Sequence, residues 1–490
     1  MSTFQAPSLS RPVTLTITAA APAEITLGRF LQPQGLASLD QLDPVALLSH
    51  GFDAEPGSVV SLWSGRGRAT VLGGIGETPA LADVRDAAAA IARASSQEAR
   101  LAIELPSLAG SALDQLAEVI VEGALLARYS YDALRQDASR TPITELTIVA
   151  PAGVDEDAVR SGAERGRILA AATALTRDLV NAPHNHLTAS RFAEFADRFG
   201  AEMGLQVEVF GMDEIRSLRL GGLLGVNAGS AEPARMVRLT YRPVGEPTAR
   251  IALVGKGIMY DAGGISLKPS DGVHAQMKND MAGAAAILAS MAALGELGCS
   301  AEVTGYLMCT DNMPSGSATA LGDVLTMRNG TTVEVIDTDA EGRLVMADAL
   351  VLACEAKPDA IFDIATLTGS ASRALGPDVA AVLGNQQAVI DRAIQAGAAA
   401  GEPLWQLPLH RPYLRMLESE TADIANCAAV GLPDAILAAL FLDTFVDGIP
   451  WAHIDVAGTA MASSARSVLV PGGSGFGARL LAHLLVNFSN

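Results

Sequence analysis

Short apolar stretches alternate with amphipathic ones along the first 150 residues of the chain. Runs rich in apolar and β-branched side chains predict strands, whereas apolar residues that recur every three or four positions predict helices. The predicted strands cover residues 13–18, 59–63, 101–105 and 146–150, and the predicted helices cover residues 80–95 and 113–129. This alternation indicates one small α/β domain.

A longer helical segment follows over residues 155–178, opening with carboxylates that favour a helix N-terminus. The motif NAPHN at residues 181–185 then breaks the helical pattern. We therefore expect an N-terminal α/β domain over residues 1–154, a linking helix over residues 155–178 and a C-terminal domain over residues 179–490.

Strand-like and helix-like runs alternate again in the second half of the chain. The predicted strands cover residues 250–254, 302–308, 333–336 and 361–365, and the predicted helices cover residues 281–297, 344–355 and 388–400. Such βαβ alternation predicts an α/β fold with a mixed, mostly parallel central sheet flanked by helices. Ligands of such sheets bind beyond the carboxyl ends of the strands.

The composition is that of a globular protein with a large core. Of the 490 residues, 49% are hydrophobic and 18% are charged, and 34 Lys and Arg against 54 Asp and Glu leave a net charge of −20. This acidity and an aromatic content of 4% disfavour nucleic acid as a partner. No apolar run is long enough for a membrane helix, no secretory signal opens the chain, and the four cysteines form no C-x-x-C pair. We expect a cytoplasmic protein with reduced thiols and no membrane partner.

A first group of polar residues follows the predicted strand 250–254. It contains Lys256 and Asp261 among glycines, and Lys268 and Asp280 come next, with Asp280 at the start of an apolar helix. A lysine among carboxylates most often forms an ordinary salt bridge. A lysine that lies near a metal and has a lowered pKa could also donate a lone pair.

A second group follows the predicted strand 333–336 and contains Asp339, Glu341 and Arg343. The planar guanidinium of Arg343 could bind an anion or a substrate carboxylate, or it could form a surface ion pair.

Asp261, Asp280, Asp339 and Glu341 would converge if the two strands that precede these groups are neighbours. Four crowded carboxylates repel one another, and divalent metal ions relieve that repulsion. The hard oxygen atoms of carboxylates are suitable ligands for Mg, Mn or Zn, and four carboxylates are enough to bind two ions. The alternative is that these acids cap helices and lie on a solvated rim.

At these two groups the sequence resembles the cytosol (leucyl) aminopeptidase family of dinuclear metallopeptidases. DTDAEGRL at residues 337–344 matches the family signature N-T-D-A-E-G-R-L in all but its first residue, and KGIMYDAGG at residues 256–264 is similar to K-G-I-T-F-D-S-G-G. Further similarity lies in the motifs RDLVNAPHNHLT at 177–188, NMPSG at 312–316, DIATLTG at 363–369 and WAHIDVAG at 451–458. The first half resembles the family only in length and in its α/β, macro-like character.

The resemblance implies two divalent metal ions, Mn²⁺ or Zn²⁺, in each subunit. Lys256, Asp261, Asp280 and Glu341 would hold one ion, and Asp261, Asp339 and Glu341 would hold the other. Asp261 and Glu341 would then bridge the two ions, which together activate a shared water.

The resemblance also implies roles for residues that hold no metal. Lys268 would polarise the scissile carbonyl and stabilise the gem-diolate, and Arg343 would hold a bicarbonate ion that serves as general base. Thr366, Leu367 and Gly369 would line the substrate cleft.

The function implied is release of N-terminal amino acids, leucine and others, from peptides by a homohexamer. A metal would bind the free α-amino group of the substrate, which explains exopeptidase action. Two alternatives remain: a DNA-binding regulatory protein on the same scaffold, because some relatives also bind DNA, and a cysteinylglycine-type dipeptidase. Asp337, Ala262 and Ala282 depart from the family pattern without removing a ligand, so the preferred N-terminal residue need not be leucine.

Overall fold

The computed structural model describes residues 4–38, 44–63, 69–136, 140–428 and 433–488. The chain divides into two compact units. The larger unit comprises Met1–Gln5, Leu175–Met461 and Gly472–Asn490, and the smaller unit comprises Ala6–Ala174 and Ala462–Pro471. In the described parts of the chain, every helix is too short or too polar to cross a membrane. The four cysteines are free thiols.

The smaller unit is built on a six-stranded sheet. Its elements in chain order are the strands β1 (Thr14–Thr18) and β2 (Thr26–Leu31), the helix α1 (Pro44–Ser49), the strands β3 (Val59–Trp63) and β4 (Ala69–Gly74), the helix α2 (Leu81–Ala94), the strand β5 (Arg100–Glu104), the helix α3 (Leu113–Ala127) and the strand β6 (Glu145–Val149). The strand order is β1-β6-β5-β2-β4-β3, and all neighbours are parallel except β3 and β4. Short 3₁₀ helices cover Pro7–Ser10 and Pro33–Ser38.

The four strands and two helices predicted for this unit are confirmed to within about two residues at each end. The strands β2 and β4 were not predicted because glycines interrupt their apolar pattern. Gly28 in β2 faces Ile91 of α2 so closely that an added β-carbon would lie 2.6 Å from the Ile91 side chain. The glycine thus serves helix packing, a requirement that a strand pattern does not reveal.

The 26-residue helix α4 (Glu156–Asn181) leads into the larger unit. The helices that follow are α5 (Ala189–Glu202), α6 (Met212–Ser217), α7 (Gly221–Asn227), α8 (Ala282–Ala293), α9 (Glu341–Glu355), α10 (Gly369–Leu375), α11 (Gln387–Ala400), α12 (Asp434–Asp443) and α13 (Ala478–Val486). The strands are β7 (Gln206–Phe210), β8 (Arg235–Tyr241), β9 (Arg250–Asp261), β10 (Glu302–Asn312), β11 (Val324–Thr326), β12 (Thr332–Glu334), β13 (Ala360–Ala365), β14 (Ala380–Gly384), β15 (Leu404–Gln406), β16 (Ile424–Ala425), β17 (Trp451–Asp455), β18 (Met461–Ala462) and β19 (Gly472–Gly473). Two further 3₁₀ helices cover His274–Asn279 and Arg411–Leu417.

The central sheet of the larger unit has eight strands in the order β15-β14-β17-β13-β9-β10-β8-β7. The four middle strands β17, β13, β9 and β10 are mutually parallel, whereas β14, β8 and β7 run antiparallel to a neighbour. The helix α8, which packs against β9, β10 and β13, is buried on all sides, as its uniformly apolar sequence requires. The expected α/β fold with a mixed, mostly parallel sheet is confirmed.

Three predicted strands of the larger unit differ from the structure, and the first is the strand predicted over 302–308, which continues to Asn312. The strand predicted over 250–254 continues to Asp261, because the polar residues that follow Val254 remain paired with β10. The strand predicted over 333–336 is the short Thr332–Glu334, and it pairs with β11 and β16 in a separate three-stranded sheet. The two groups of polar residues therefore do not follow neighbouring strands of one sheet.

Candidate active site

The polar groups converge despite belonging to different sheets. Lys256 and Asp261 lie on β9, Asp280 lies between the 3₁₀ helix His274–Asn279 and α8, and Asp339 and Glu341 lie at the N-terminus of α9. The carboxylates of Asp261, Asp280 and Glu341 are buried and offer oxygens that lie within 4.8 Å of one another. We call these five side chains, together with Lys268, the carboxylate–lysine cluster.

A β-bulge allows β9 to supply two members of this cluster. Thr310 of β10 pairs with Ile258, but the next residue, Asp311, pairs with Tyr260, so β9 contains one extra residue at this point. Side chains alternate along a regular strand, so residues 256 and 261 would point to opposite faces of the sheet. The bulge restores a shared face, and both Lys256 and Asp261 reach the cluster.

Lys256 is held between two carboxylates. Its Nζ lies 2.7 Å from Oδ2 of Asp280 and 2.8 Å from Oε1 of Glu341, and it donates a hydrogen bond of 3.0 Å to the carbonyl oxygen of Thr366. Gly342 makes room for this side chain, since a β-carbon there would lie 2.6 Å from Cε of Lys256. The glycine of the DTDAEGRL motif is therefore a spacing requirement for the lysine.

Lys268 is held in a similar way by the other two carboxylates. Its Nζ lies 2.8 Å from Oδ2 of Asp261 and 2.5 Å from Oδ1 of Asp339. Four carboxylates and two ammonium groups leave the cluster with a formal charge of −2 when all six are ionised. Negative charge of this size in a buried site calls for cations.

The pKa values reflect this excess of negative charge. Burial, followed by the charge of neighbouring carboxylates, raises the pKa values of Asp280 and Glu341, and it raises that of Asp339 to about 7. Burial lowers the pKa values of Lys256 and Lys268, but the surrounding carboxylates outweigh it and raise both above the ordinary lysine value. The carboxylates would be stabilised in their ionised form by divalent cations.

The donor atoms present fit such cations. Within the described residues, Oδ2 of Asp280 and Oε1 of Glu341 are buried and accept no well-formed hydrogen bond, although the Lys256 ammonium lies beside them. Buried carboxylate oxygens with unused lone pairs are the ligands that Mg²⁺, Mn²⁺ and Zn²⁺ accept. The alternative that these acids are only solvated helix caps does not agree with the burial of Asp261, Asp280 and Glu341, whereas Asp339 is exposed just before α9.

Asn312 is a member of the site that the sequence analysis did not identify. It ends β10, and its Nδ2 donates to Oδ1 of Asp261 at 2.8 Å, to the carbonyl of Thr338 at 2.9 Å and to Oε2 of Glu341 at 3.3 Å. It therefore ties β9 to the start of α9. Its position at the polar end of a central strand, within the NMPSG motif, was the available signal.

Arg343 is buried rather than part of a surface ion pair. Its Nη2 lies 2.7 Å from Oδ1 of Asp434, and its Nη1 donates to the carbonyl oxygen of Asn426 at 2.9 Å. Its buried Nε has no hydrogen-bond partner among the described residues. The Nε–H group of Arg343 is thus a buried donor to which the described residues supply no acceptor.

The three residues expected to line the substrate cleft follow β13. Thr366 reaches the cluster directly, because its Oγ1 donates to Oδ1 of Asp280 at 2.7 Å. Leu367 donates its backbone N–H to Oδ1 of Asp455 at 3.1 Å, and Gly369 begins α10. The structure thus places Thr366 at the cluster, and Leu367 and Gly369 follow it one and three residues further along the chain.

Comparison with known proteins identifies the family of the chain. Residues 174–482 match the catalytic domain of the cytosol aminopeptidase family, and residues 45–138 match the N-terminal domain of the same family. The chain is 40% identical over 475 residues to a probable cytosol aminopeptidase of Chlorobium limicola, covering 92% of this chain and 93% of the relative. A probable cytosol aminopeptidase of Chlorobaculum tepidum is 41% identical over 474 residues, covering 91% and 93% of the two chains.

Solved structures with the same fold include a maturation enzyme and a leucine aminopeptidase. The bottromycin maturation enzyme BotP in complex with Mn is 36% identical, with a TM-score of 0.86 over 94% of this chain and 99% of that chain. A variant of tomato leucine aminopeptidase is 28% identical, with a TM-score of 0.88 over 98% of this chain and 97% of that chain. By sequence, by fold and by its buried carboxylates, the chain belongs to the cytosol aminopeptidase family and is a metal-dependent aminopeptidase.

Proposed function

We propose that this metal-dependent aminopeptidase works with two divalent ions held by the carboxylate–lysine cluster. Lys256, Asp261, Asp280 and Glu341 would hold one ion, and Asp261, Asp339 and Glu341 would hold the other. The observation that carries the proposal is the set of three buried carboxylates whose oxygens lie within 4.8 Å of one another. The formal charge of −2 on the cluster supports the binding of more than one cation.

Two divalent ions supply a shared water of lowered pKa and polarise the scissile carbonyl. The chain itself supplies Lys268, whose ammonium group is held between Asp261 and Asp339. This ammonium would stabilise the negative charge that develops on the scissile carbonyl oxygen. Lys268 therefore acts as the electrophilic residue in the proposal.

Arg343 would bind the bicarbonate ion that accepts the proton of the attacking water. Its buried guanidinium keeps Nε without a partner among the described residues, which supports an anion site there. Thr366, Leu367 and Gly369 would line the cleft for the peptide, and the hydrogen bond from Thr366 to Asp280 supports this placement. The free α-amino group of the substrate would then lie at the metals, which restricts cleavage to the first peptide bond.

Manganese or zinc are the ions that we propose. The solved relative in complex with Mn supports manganese. We also propose a homohexamer in the cytoplasm, and the names of the curated relatives support that location. Size-exclusion chromatography with light scattering tests the assembly, since six chains of 50.4 kDa differ clearly from one.

The experiment that tests the function compares two substrates on metal-depleted protein with and without added Mn²⁺ or Zn²⁺. We expect metal-dependent hydrolysis of L-leucine anilide and no hydrolysis of the same compound with an acetylated amino group. A series of anilides with other side chains measures the preference of the cleft. Equal cleavage of the free and the acetylated compound would contradict the proposal, as would activity that survives exhaustive chelation.

Glu341→Gln provides the matched control for this experiment. The substitution keeps the size of the side chain and removes its charge, so the fold should persist while hydrolysis falls to background. If Glu341 were only a helix cap, the variant would lose stability and keep its activity.

A further inference from the structure

Three titratable side chains lie in a row, in contact with one another, in the core of the larger unit, on the strands β13 and β17. Nδ1 of His453 lies 2.5 Å from Oδ1 of Asp363, and its Nε2 lies 4.0 Å from Oδ2 of Asp455. All three side chains are at most 1% exposed. They belong to β13 and β17, in which Asp363 and His453 are paired directly across the parallel ladder.

Asp363 anchors this row at the side away from Asp455. Its second oxygen, Oδ2, accepts a hydrogen bond of 2.6 Å from Nε1 of Trp451. Burial disfavours the charged imidazole, but Asp363 and Asp455 outweigh it and raise the pKa of His453. An imidazolium here would attract both carboxylates by charge, whereas its hydrogen bond goes to Asp363, because Nε2 lies 4.0 Å from Asp455 and has no hydrogen-bond partner among the described residues.

Asp455 in turn holds the backbone that follows β13. Its Oδ1 accepts from the backbone N–H of Leu367 at 3.1 Å, Thr368 at 3.4 Å and Ala457 at 3.1 Å. Its Oδ2 accepts from the hydroxyl of Thr368 at 2.7 Å. The same hydroxyl oxygen accepts from the backbone N–H of Ala371 and so caps α10.

The segment 366–368 connects Asp455 to the carboxylate–lysine cluster. Thr366 donates its hydroxyl to Asp280 at 2.7 Å and accepts from Nζ of Lys256 at 3.0 Å through its carbonyl. Asp455 thus binds Leu367 and Thr368, which directly follow Thr366 in the chain. Thr366 in turn contacts two members of the cluster.

Core strands do not need charged side chains for stability. Burying three titratable groups costs desolvation energy that well-packed aliphatic side chains would avoid. The row therefore calls for a role beyond filling the core, and its hydrogen bonds lead to Trp451, Ala457 and the segment 366–368.

We propose that Asp455, held by His453 and Asp363, is a positioning residue that fixes segment 366–368 and thereby the orientation of Asp280 and Lys256. The inference rests on the proposed function, because it assigns Asp280 and Lys256 to metal binding. It extends that function to side chains that touch neither metal nor substrate. Groups that orient metal ligands from behind commonly change metal affinity by about 10–100-fold when they are replaced.

The test compares Thr368→Val with Thr368→Ser in the full chain. Valine keeps the shape of threonine but removes the hydroxyl that binds Asp455, whereas serine keeps that hydroxyl. Mn²⁺ affinity of the metal-depleted protein, measured by competition with a chelating indicator, should weaken about tenfold or more in the valine variant. The serine variant should stay within about twofold of the parent, since its hydrogen bond is conserved. kcat at saturating Mn²⁺ should fall in the same order.

Amide hydrogen exchange gives a readout that needs neither metal nor activity. Exchange in the peptide containing residues 366–371 should accelerate in Thr368→Val and in Asp455→Asn, while peptides from β9 and β10 keep the rate of the parent. Asp455→Asn also replaces the valine variant if circular dichroism shows that the latter is unfolded.

The possible outcomes distinguish a failure of the positioning role from a failure of the two-metal peptidase proposal. Equal Mn²⁺ affinity and equal exchange in the valine and serine variants would overturn the positioning role and leave the peptidase proposal intact. A parent that binds Mn²⁺ but cleaves no aminoacyl anilide, with the variants ranked as expected, would overturn the two-metal peptidase proposal and keep the positioning role. A parent that binds no Mn²⁺ would overturn both.

Discussion

Gly342 lies so close to Lys256 that a β-carbon on the glycine would be 2.6 Å from Cε and 2.8 Å from Nζ of the lysine. Non-bonded carbon atoms prefer separations of about 3.5–4.0 Å, so any other residue at position 342 would displace the lysine. Lys256 is 4% exposed and held by Asp280 and Glu341, and it has little space to move.

Gly342→Ala should therefore impair catalysis without unfolding the protein. We expect kcat/KM to fall by about 10–100-fold because Lys256 is displaced from Asp280 and Glu341. Alanine is the better helix former by about 1 kcal/mol, and this gain offsets the cost of crowding against Lys256. The melting temperature should therefore change little. Steady-state kinetics and thermal unfolding measure the two effects. Gly316→Ala, where an added β-carbon meets no atom within 4 Å, is the control, and equal activity of both variants would contradict the prediction.

Asn312→Leu should weaken metal binding. The substitution keeps the volume but removes the N–H groups that orient Asp261 and Glu341, and we expect about a tenfold or larger loss of Mn²⁺ affinity by titration calorimetry. Asn227→Leu is the matched control, because Asn227 is also a buried amide with two acceptors, Thr310 and the carbonyl of Glu232. The control should lose about 1–3 kcal/mol of stability and keep its metal affinity. Equal metal affinity in the two variants would count against the role of Asn312.

Removal of metal should lower the thermal stability of the protein. The cluster has a formal charge of −2 without cations when all six groups are ionised, and an ion that binds only the folded chain stabilises it by about 4 kcal/mol at a thousandfold excess over Kd. Differential scanning fluorimetry with EDTA, and then with Mn²⁺ restored, measures the shift. In Glu341→Gln the shift should shrink, since a ligand is lost. A melting temperature that is independent of metal in the parent would refute the expectation.

The Asp348 carboxylate should give the unfolding free energy a measurable dependence on pH. It accepts from the backbone N–H groups of Gly222, Leu223 and Arg328, yet burial raises its pKa from 3.8 to about 7. Because the folded chain binds this proton more tightly than the unfolded chain does, ionisation costs stability as the pH rises through this range.

Asp348→Asn, which cannot ionise, isolates this contribution. The free energy of unfolding is measured in urea for the parent and for the variant. The value for the parent minus the value for the variant should decrease between about pH 4 and pH 7, by an amount on the order of 1–4 kcal/mol. Asp213→Asn, at an exposed position of α6, serves as the control for the loss of one carboxylate. A difference between parent and Asp348→Asn that is constant across this pH range would show that the carboxyl does not titrate there.

Much of the fold followed from the sequence because strands and helices alternate clearly in both units. Two of the strands that were missed or predicted too short have a tertiary cause. β2 contains Gly28, which makes room for Ile91, and a local pattern does not record which helix will pack there. β9 was predicted too short because its last residues are polar members of the site, and their pairing with β10 is a long-range contact.

The candidate site was predictable as a set of residue types and only partly as an arrangement. The motifs around Lys256 and Glu341 indicated the chemistry, and the structure brings these residues together. The sequence did not show that Asn312 joins the two groups, because an asparagine at the end of a strand has many ordinary roles. It also did not show that Arg343 is buried against Asp434, since that contact spans 91 positions of the chain.

The bulge in β9 makes the length of this strand as important as its composition. Between Lys256 and Asp261 the chain can exchange one apolar residue for another, but it cannot gain or lose a residue. A single-residue insertion or deletion that left the bulge in place would change this spacing by one and turn Asp261 to the opposite face of the sheet. In a family of homologous chains, this segment should therefore accept substitutions and exclude insertions and deletions, unlike the surface loops on either side of the strand.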